Sequence, residues 1–301
     1  MSIAQYIKVI GRGKDGARPL TREQAGDLFG QVLDGTVTDL EVGGFCLAMR
    51  IKGETPEEMA GFLDATYRRM QRFPASAQPV VVLPSYNGAR KLPVLTPLLA
   101  LLLAREGLPV LVHGTATESS RIFASDVLAT LDIPALTAIE KIANGEVVYA
   151  PTELLCPGLK RLLDVRRAVG LRNPAHSLVK IMNPCLGKAL VVSSYTHPEY
   201  AISMGQTFEL IEANALLLRG TEGEVVADAR RTPQMQAFIA GQRTLLQEAQ
   251  PGTLASVPDL PAAIDSDSTA AYIRAVMSGS AAVPASIARQ VEHILHLTLQ
   301  L

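Results

Sequence analysis

Apolar residues recur at helical spacing through the first quarter of the chain. After Thr21-Arg22-Glu23-Gln24, the positions Ala25, Leu28, Phe29, Val32 and Leu33 share one helical face, and Gly35 stops the pattern. Thr21 suits the N-cap because its hydroxyl accepts an N–H from the first turn while Gln24 answers in return. A second helix is predicted from about Leu40 to Lys52. A third starts at Thr55-Pro56-Glu57-Glu58, with proline at the first helical position, where its missing N–H costs nothing. Residues 3–73 therefore read as a helical unit. The pattern changes at Phe73-Pro74-Ala75-Ser76-Ala77-Gln78-Pro79, a linker composition, and Val80–Leu83 directly after it reads as a buried strand. Further short apolar runs (Val110–Val112, Val147–Tyr149, Ala189–Val192, Ala215–Leu218) alternate with helical stretches, which predicts an α/β sheet unit. The division is a helical domain over 1–75 and an α/β domain over 76–301. Gln250 to Pro261, rich in Pro, Gly and Ser, is expected to be an exposed connection before the terminal helices.

Composition narrows the class. With 301 residues and 48% apolar side chains, the chain buries enough surface to fold without a disulfide or metal. Cys46, Cys156 and Cys185 are far apart and odd in number, so neither a disulfide framework nor a zinc site is indicated. The N-terminus lacks the basic start and apolar stretch of a secretory signal, and a cytoplasmic location is expected. The most apolar run, Leu98–Leu103, ends at Arg105 and Glu106, far short of the ~20 residues that cross a bilayer; it reads as a buried helix, and no membrane partner is expected.

Net charge is −1, yet it is unevenly spread: Lys and Arg minus Asp and Glu give 10 − 10 = 0 over 1–75, 12 − 9 = +3 over 76–200 and 6 − 10 = −4 over 201–301. Between Leu155 and Leu190, Lys160, Arg161, Arg166, Arg167, Arg172, Lys180 and Lys188 face Asp164 alone. A run of this kind is most often a solvated helix face. Gly11-Arg12-Gly13-Lys14-Asp15-Gly16 lacks the glycine spacing and the Ser or Thr after lysine of a phosphate loop. His293 and His296 have no third ligand in view, and no metal site is expected.

The segment Gly107-Leu108-Pro109-Val110-Leu111-Val112-His113-Gly114, with Ser119-Ser120-Arg121 and Ser125-Asp126-Val127-Leu128, resembles the K-H-G-N-R…S-S-K…A-D-V-L-E segment of anthranilate phosphoribosyltransferases. Val169-Gly170-Leu171-Arg172-Asn173-Pro174-Ala175-His176, ending at Asn183-Pro184, resembles their G-x-R-T-x-F-N-L-L-G-P-x-x-N-P. The resemblance spans about residues 3–250. It implies a small N-terminal helical domain joined in space by helices from about 155–185, a larger α/β domain of the phosphoribosyltransferase and nucleoside phosphorylase type, and a homodimer formed through the helical domain. It also implies a substrate site at Ser85, Asn87, Gly88, Thr96, His113, Gly114, Ser119, Arg121, Arg172 and His176, with Arg172 matching the arginine that contacts the aromatic acid.

That site departs from the family pattern. The enzymes' G-T-G-G-D-G loop, whose backbone N–H groups approach pyrophosphate, reads Pro84-Ser85-Tyr86-Asn87-Gly88-Ala89-Arg90-Lys91 here. Pro84 removes a donor and Tyr86 adds bulk. The N-x-S-T motif reads Val94-Leu95-Thr96-Pro97, the lysine before His-Gly is Val112, and the Asn-Arg after it is Thr115-Ala116. The acidic pair that helps hold magnesium falls on Val225-Val226, leaving Glu222 and Glu224 as weak substitutes, so magnesium is expected only if transferase activity survives. Ile10-Gly11-Arg12-Gly13-Lys14, Pro84–Lys91, Arg172–His176 and His197-Pro198-Glu199-Tyr200 resemble the YbiB group of phosphoribosyltransferase relatives. That resemblance implies a homodimer that binds nucleic acid with little sequence preference, through Lys8, Arg12, Lys14, Arg18, Arg90, Lys91, Lys160, Arg161, Arg166, Arg167 and Arg172. No cofactor is expected. The alternative is a transferase of the same class with an altered substrate, and a purely structural dimer is the third reading.

Overall fold

The computed structural model describes residues 2–255 and 259–301, apart from the side chain of Lys14. The helical unit holds α1 (Ala4–Ile10), the single turn α2 (Gly13–Gly16), α3 (Arg22–Asp34), α4 (Asp39–Lys52) and α5 (Pro56–Tyr67). Capping boxes open the last three: Thr21 with Gln24, Thr38 with Glu41, and Thr55 with Glu58. Their packing converges on Phe29, Phe45 and Phe62, all fully buried, with Phe29 stacked on Phe62 at 4.6 Å and Phe45 edge-on to both. Helices α3 and α5 approach so closely that a Cβ at Gly61 would lie 2.2 Å from the Arg22 carbonyl.

The larger unit follows in the order β1 (Val80–Ser85), α6 (Thr96–Arg105), β2 (Val110–Gly114), α7 (Ala124–Thr130), β3 (Val147–Pro151), α8 (Thr152–Leu155), α9 (Pro157–Val169), α10 (Ala175–Leu178), β4 (Ala189–Tyr195), α11 (Pro198–Leu210), β5 (Ala215–Arg219), β6 (Met235–Ile239), β7 (Gln242–Gln247), α12 (Ser266–Met277) and α13 (Ala285–Thr298). They form one mixed sheet ordered β3-β2-β1-β4-β5-β6-β7, parallel from β3 to β5 and antiparallel beyond. Strand β1 sits between β2 and β4 and is buried along its length, so it reads in sequence as an unbroken apolar run rather than an alternation. Helices α9 and α10 leave the sheet and pack on α3 and α5, so the two units share a boundary near the carboxyl ends of the strands.

The β6–β7 hairpin is absent from the sequence expectation. Its loop residues Ala240 and Gly241 have φ of +46° and +76°, the left-handed pair a two-residue hairpin demands, but without the Asn-Gly or Asp-Gly that normally marks one. The expected connection at 250–261 is largely exposed from Gln250 to Ala255, and residues 256–258 of it lie outside the described residues. No described helix is long and apolar enough to cross a membrane.

Candidate functional site

The β1 loop, which family resemblance assigns to pyrophosphate, is closed by the chain's own carboxylates. Past β5 a short turn at Thr221–Gly223 returns toward β1 and carries Glu222 and Glu224 onto it. One Glu224 oxygen accepts the N–H groups of Asn87 and Gly88, both at 2.8 Å. The other accepts the hydroxyls of Ser85 at 2.5 Å and Thr96 at 2.9 Å. The Glu222 carboxylate accepts three further N–H groups, from Arg90, Lys91 and Leu92, at 2.9–3.2 Å. Glu224 is 2% exposed. These donors form the nest an anion would occupy, and here the anion is covalently part of the protein.

Two backbone features hold the carboxylates there. Glu222 has φ +51°, a left-handed conformation unfavourable for a side-chain-bearing residue and sustained by its three N–H contacts. Gly223 follows at φ +87°, where a Cβ would fall 2.0 Å from the Asn87 amide nitrogen. That amide donates to the Glu222 carbonyl at 3.0 Å, closing the loop from the other side.

Tyr86, between Ser85 and Asn87 in the same loop, is buried against His113 and Thr152. Its hydroxyl lies 2.9 Å from His113 Nδ1 and 3.0 Å from Thr152 Oγ1, and Thr152 donates in turn to the Gly114 carbonyl at 3.0 Å. Since the Thr152 proton is spent on Gly114, every contact is satisfied when His113 donates to Tyr86 and Tyr86 to Thr152. Burial drives the His113 pKa down to about 3 and the Tyr86 pKa up, so both stay neutral. The histidine of the His-Gly pair is thus a fully buried structural residue.

Beside the cradle, Glu118 binds both Arg121, at 3.1 Å, and Arg166 of α9, while Arg121 also donates to the Asn87 carbonyl at 2.9 Å. Ser119 is exposed nearby. Arg172 borders this group, near enough that the Arg166 and Arg121 guanidiniums add to the effect of burial in lowering its pKa, and with His176 and Lys180 it lines a cleft on the β4 side.

The basic residues divide by what holds them. On α9, Lys160 pairs with Asp164 and Arg167 contacts Asp164 at 3.5 Å, while Arg161 donates to the Leu33 carbonyl. Lys8, Arg12 and Arg18 are exposed; among the described residues Arg12 and Arg18 donate only to backbone carbonyls, which carry no charge to offset theirs. Arg90 and Lys91 project from the cradle loop with exposed side chains. Helix α1 packs on α4 whereas α9 packs on α3, so the two basic segments ride on different parts of the helical unit. The acidic C-terminal third contributes a groove of mixed charge enclosing about 770 Å³, lined by Arg219, Arg230, Arg231 and Arg243 but also by Glu222 and Asp228, with Arg230 paired to Asp228 and Arg243 to Glu209.

Magnesium does not fit this site. Val225 and Val226 are buried apolar residues, the Glu222 and Glu224 carboxylates are committed to N–H and O–H donors, and no cluster of three metal-ligating side chains occurs among the described residues.

Comparison with known proteins agrees with this architecture. Residues 4–70 match the helical bundle domain of the glycosyl transferase family. Over 298 residues the chain is 40% identical to the uncharacterized protein YbiB of Escherichia coli (strain K12), covering 97% of this chain and 92% of that one. It is 34% identical over 205 residues to an anthranilate phosphoribosyltransferase of Methanosarcina acetivorans, covering 64% of this chain and 52% of the enzyme. The crystal structure of anthranilate phosphoribosyltransferase (TrpD) from Thermus thermophilus superposes with a TM-score of 0.72 at 20% identity, over 95% of this chain and 85% of that one.

Proposed function

The chain belongs to the family of YbiB, built on the anthranilate phosphoribosyltransferase fold, and on that footing we propose that it binds nucleic acid through the phosphate backbone, with little sequence preference, and does not transfer phosphoribose. The observation that carries the second half is the pair of carboxylates in the β1 loop: a pyrophosphate would have to displace Glu222 and Glu224 from donors they already satisfy, and would meet their charge while doing so.

The first half rests on uncompensated positive charge. Arginines that donate to carbonyls, as Arg12 and Arg18 do on the N-terminal segment and Arg161 does on α9, keep a full charge for an outside anion, and such groups neutralise phosphates without reading bases. With no Trp and 5% aromatic residues, stacking is a minor contribution. The reading needs no metal or cofactor.

A second copy of the chain is its other partner. Leu40, Leu47 and Ile51 are 86%, 44% and 69% exposed on one stripe of α4, with Gly43 and Gly44 between them. Such a stripe on a helical unit fits a self-association face. Titrating fluorescent duplex and single-stranded DNA and RNA with the purified protein tests the proposal: binding of all of them, weakening with salt, supports it, and phosphoribosyl transfer to anthranilate refutes it.

A further inference from the structure

The amino edge of the sheet, opposite the cradle, holds a cavity of its own. It encloses about 300 Å³ where α5 and the residues just after it face the segments that lead into β4 and β5, so both units line it. No cradle residue borders it, nor does Arg172, His176 or Lys180.

The polar side chains that line it have spent their acceptors and kept their donors. Asn183 Oδ1 accepts the Cys185 N–H at 2.9 Å, Asn214 Oδ1 accepts the Ala240 N–H at 2.8 Å, and the Tyr67 hydroxyl oxygen accepts the Asn183 N–H at 3.0 Å. Only an oxygen can accept, so these bonds fix which way each amide is turned. Neither NH2 group nor the Tyr67 hydroxyl proton has an acceptor among the described residues, and burial raises the Tyr67 pKa, which keeps that proton in place. Arg72 lies over the Tyr67 ring at 5.2 Å and donates from Nη2 to the Cys185 carbonyl at 2.5 Å, yet its Nε is buried without a partner. A buried donor left in this state costs free energy that a bound acceptor recovers.

The charge at the cavity favours an anion. Arg22 and Asp64 offset each other in an ion pair at 2.6 Å, which leaves Arg72 and the exposed, unpaired Lys188 against the exposed Glu212. We propose that this cavity binds a phosphate group, free or as the monoester of a small polar molecule, with Arg72 and Lys188 supplying charge and Tyr67, Asn183 and Asn214 supplying hydrogen bonds. A tetrahedral dianion with several acceptor oxygens matches a cluster of donors that offers few acceptors in return. The cavity is at the small end of the range for small-molecule sites, which suits a head group with a short body. None of this uses the exposed basic residues of the nucleic-acid reading.

Calorimetric titration of the full-length protein with inorganic phosphate and with glycerol 3-phosphate tests it, and their relative affinities tell a site for free phosphate from one for an ester. At least one of the two is expected to bind with a dissociation constant in the millimolar range or tighter. Asn183→Asp and Asn214→Asp keep the oxygen that each backbone N–H needs and set a negative charge where an amide donor stood. Each should weaken binding by about tenfold or more. Lys188→Ala should weaken it several-fold in a chain that still folds, since an exposed charge adds little stability. Arg12→Ala with Arg18→Ala should leave it unchanged, which separates this cavity from the exposed basic surface. Absence of binding by both compounds up to about 10 mM overturns the proposal, as does binding that both aspartate variants retain or that the Arg12→Ala, Arg18→Ala variant loses.

Discussion

Glu224 carries four donors that no water reaches, so its removal acts on stability rather than on a reaction. Glu224→Ala strands two backbone N–H groups and two hydroxyls and should cost about 3 kcal/mol in urea unfolding. Glu224→Gln should cost less, because the hydroxyls of Ser85 and Thr96 can turn to accept from an amide. Equal, near-zero losses for both would mean the cradle is not held shut by this side chain. Histidine burial adds a pH dependence. His113 is lowered to about 3 and His176 to about 4, mainly by desolvation, against about 6.5 in an unfolded chain. Below pH 6.5 the unfolded state therefore takes up protons that the folded state refuses. The stability of the neutral rings is complete above that pH and lost as pH falls toward 4 and 3. Urea unfolding should show a loss of roughly 3 kcal/mol between pH 7 and 5, about half of it absent in His113→Asn. The residues of this site were legible by position but not by role: Glu222 and Glu224 stand out in sequence as acids near a lost metal site, whereas the N–H groups of Asn87 and Arg90 that they accept lie 137 and 132 residues away, a distance no local pattern spans. Lys180 stood out only as one cation in a basic run, because what makes it unusual is its burial.

Helices α3 and α5 announced themselves in the chain because their caps are local: Thr21 and Thr55 answer residues three positions on, and such bonds depend on no other element. The β6–β7 hairpin did not, since Gln242–Gln247 is a mostly exposed edge strand with polar ends and its turn uses an alanine in a left-handed conformation. Two expectations belong to single helices. On α9, Arg166 is bound to Glu118 while Arg167 is largely exposed. Arg167→Ala removes the exposed cation, so it should weaken nucleic-acid binding more than Arg166→Ala, whose charge Glu118 already offsets, with Arg289→Ala on α13, paired with Glu292, as the near-silent control. Arg167→Ala should fold normally, since an exposed charge adds little stability, and unfolding in urea checks that the half-buried Arg166→Ala does too. On α4, Leu47→Glu places a charge on the apolar stripe. Light scattering should report a dimer for the parent chain and a monomer for this variant, and an unchanged mass would remove α4 from the interface.

At the scale of the whole molecule, the two-unit division and the α/β class were readable because they rest on the period of the apolar pattern, which switches near residue 80. What the sheet's carboxyl edge does was not readable from the pattern, for it depends on which distant side chains meet there. The closed cradle, the bulky Tyr86 of the same loop and the valines at the metal position all bear on one reaction, so anthranilate, phosphoribosyl pyrophosphate and Mg²⁺ should give no turnover above background, and reopening the cradle by Glu224→Ala alone should not create any. A phosphate-backbone interaction is tested most directly by the salt dependence of affinity for one duplex and its scrambled counterpart. Log affinity should fall linearly with log salt by about 0.7–0.9 per neutralised phosphate, on the same line for both sequences, with a shallower slope after Arg12→Ala and Arg18→Ala. No binding at low salt, or an affinity indifferent to salt, would contradict it.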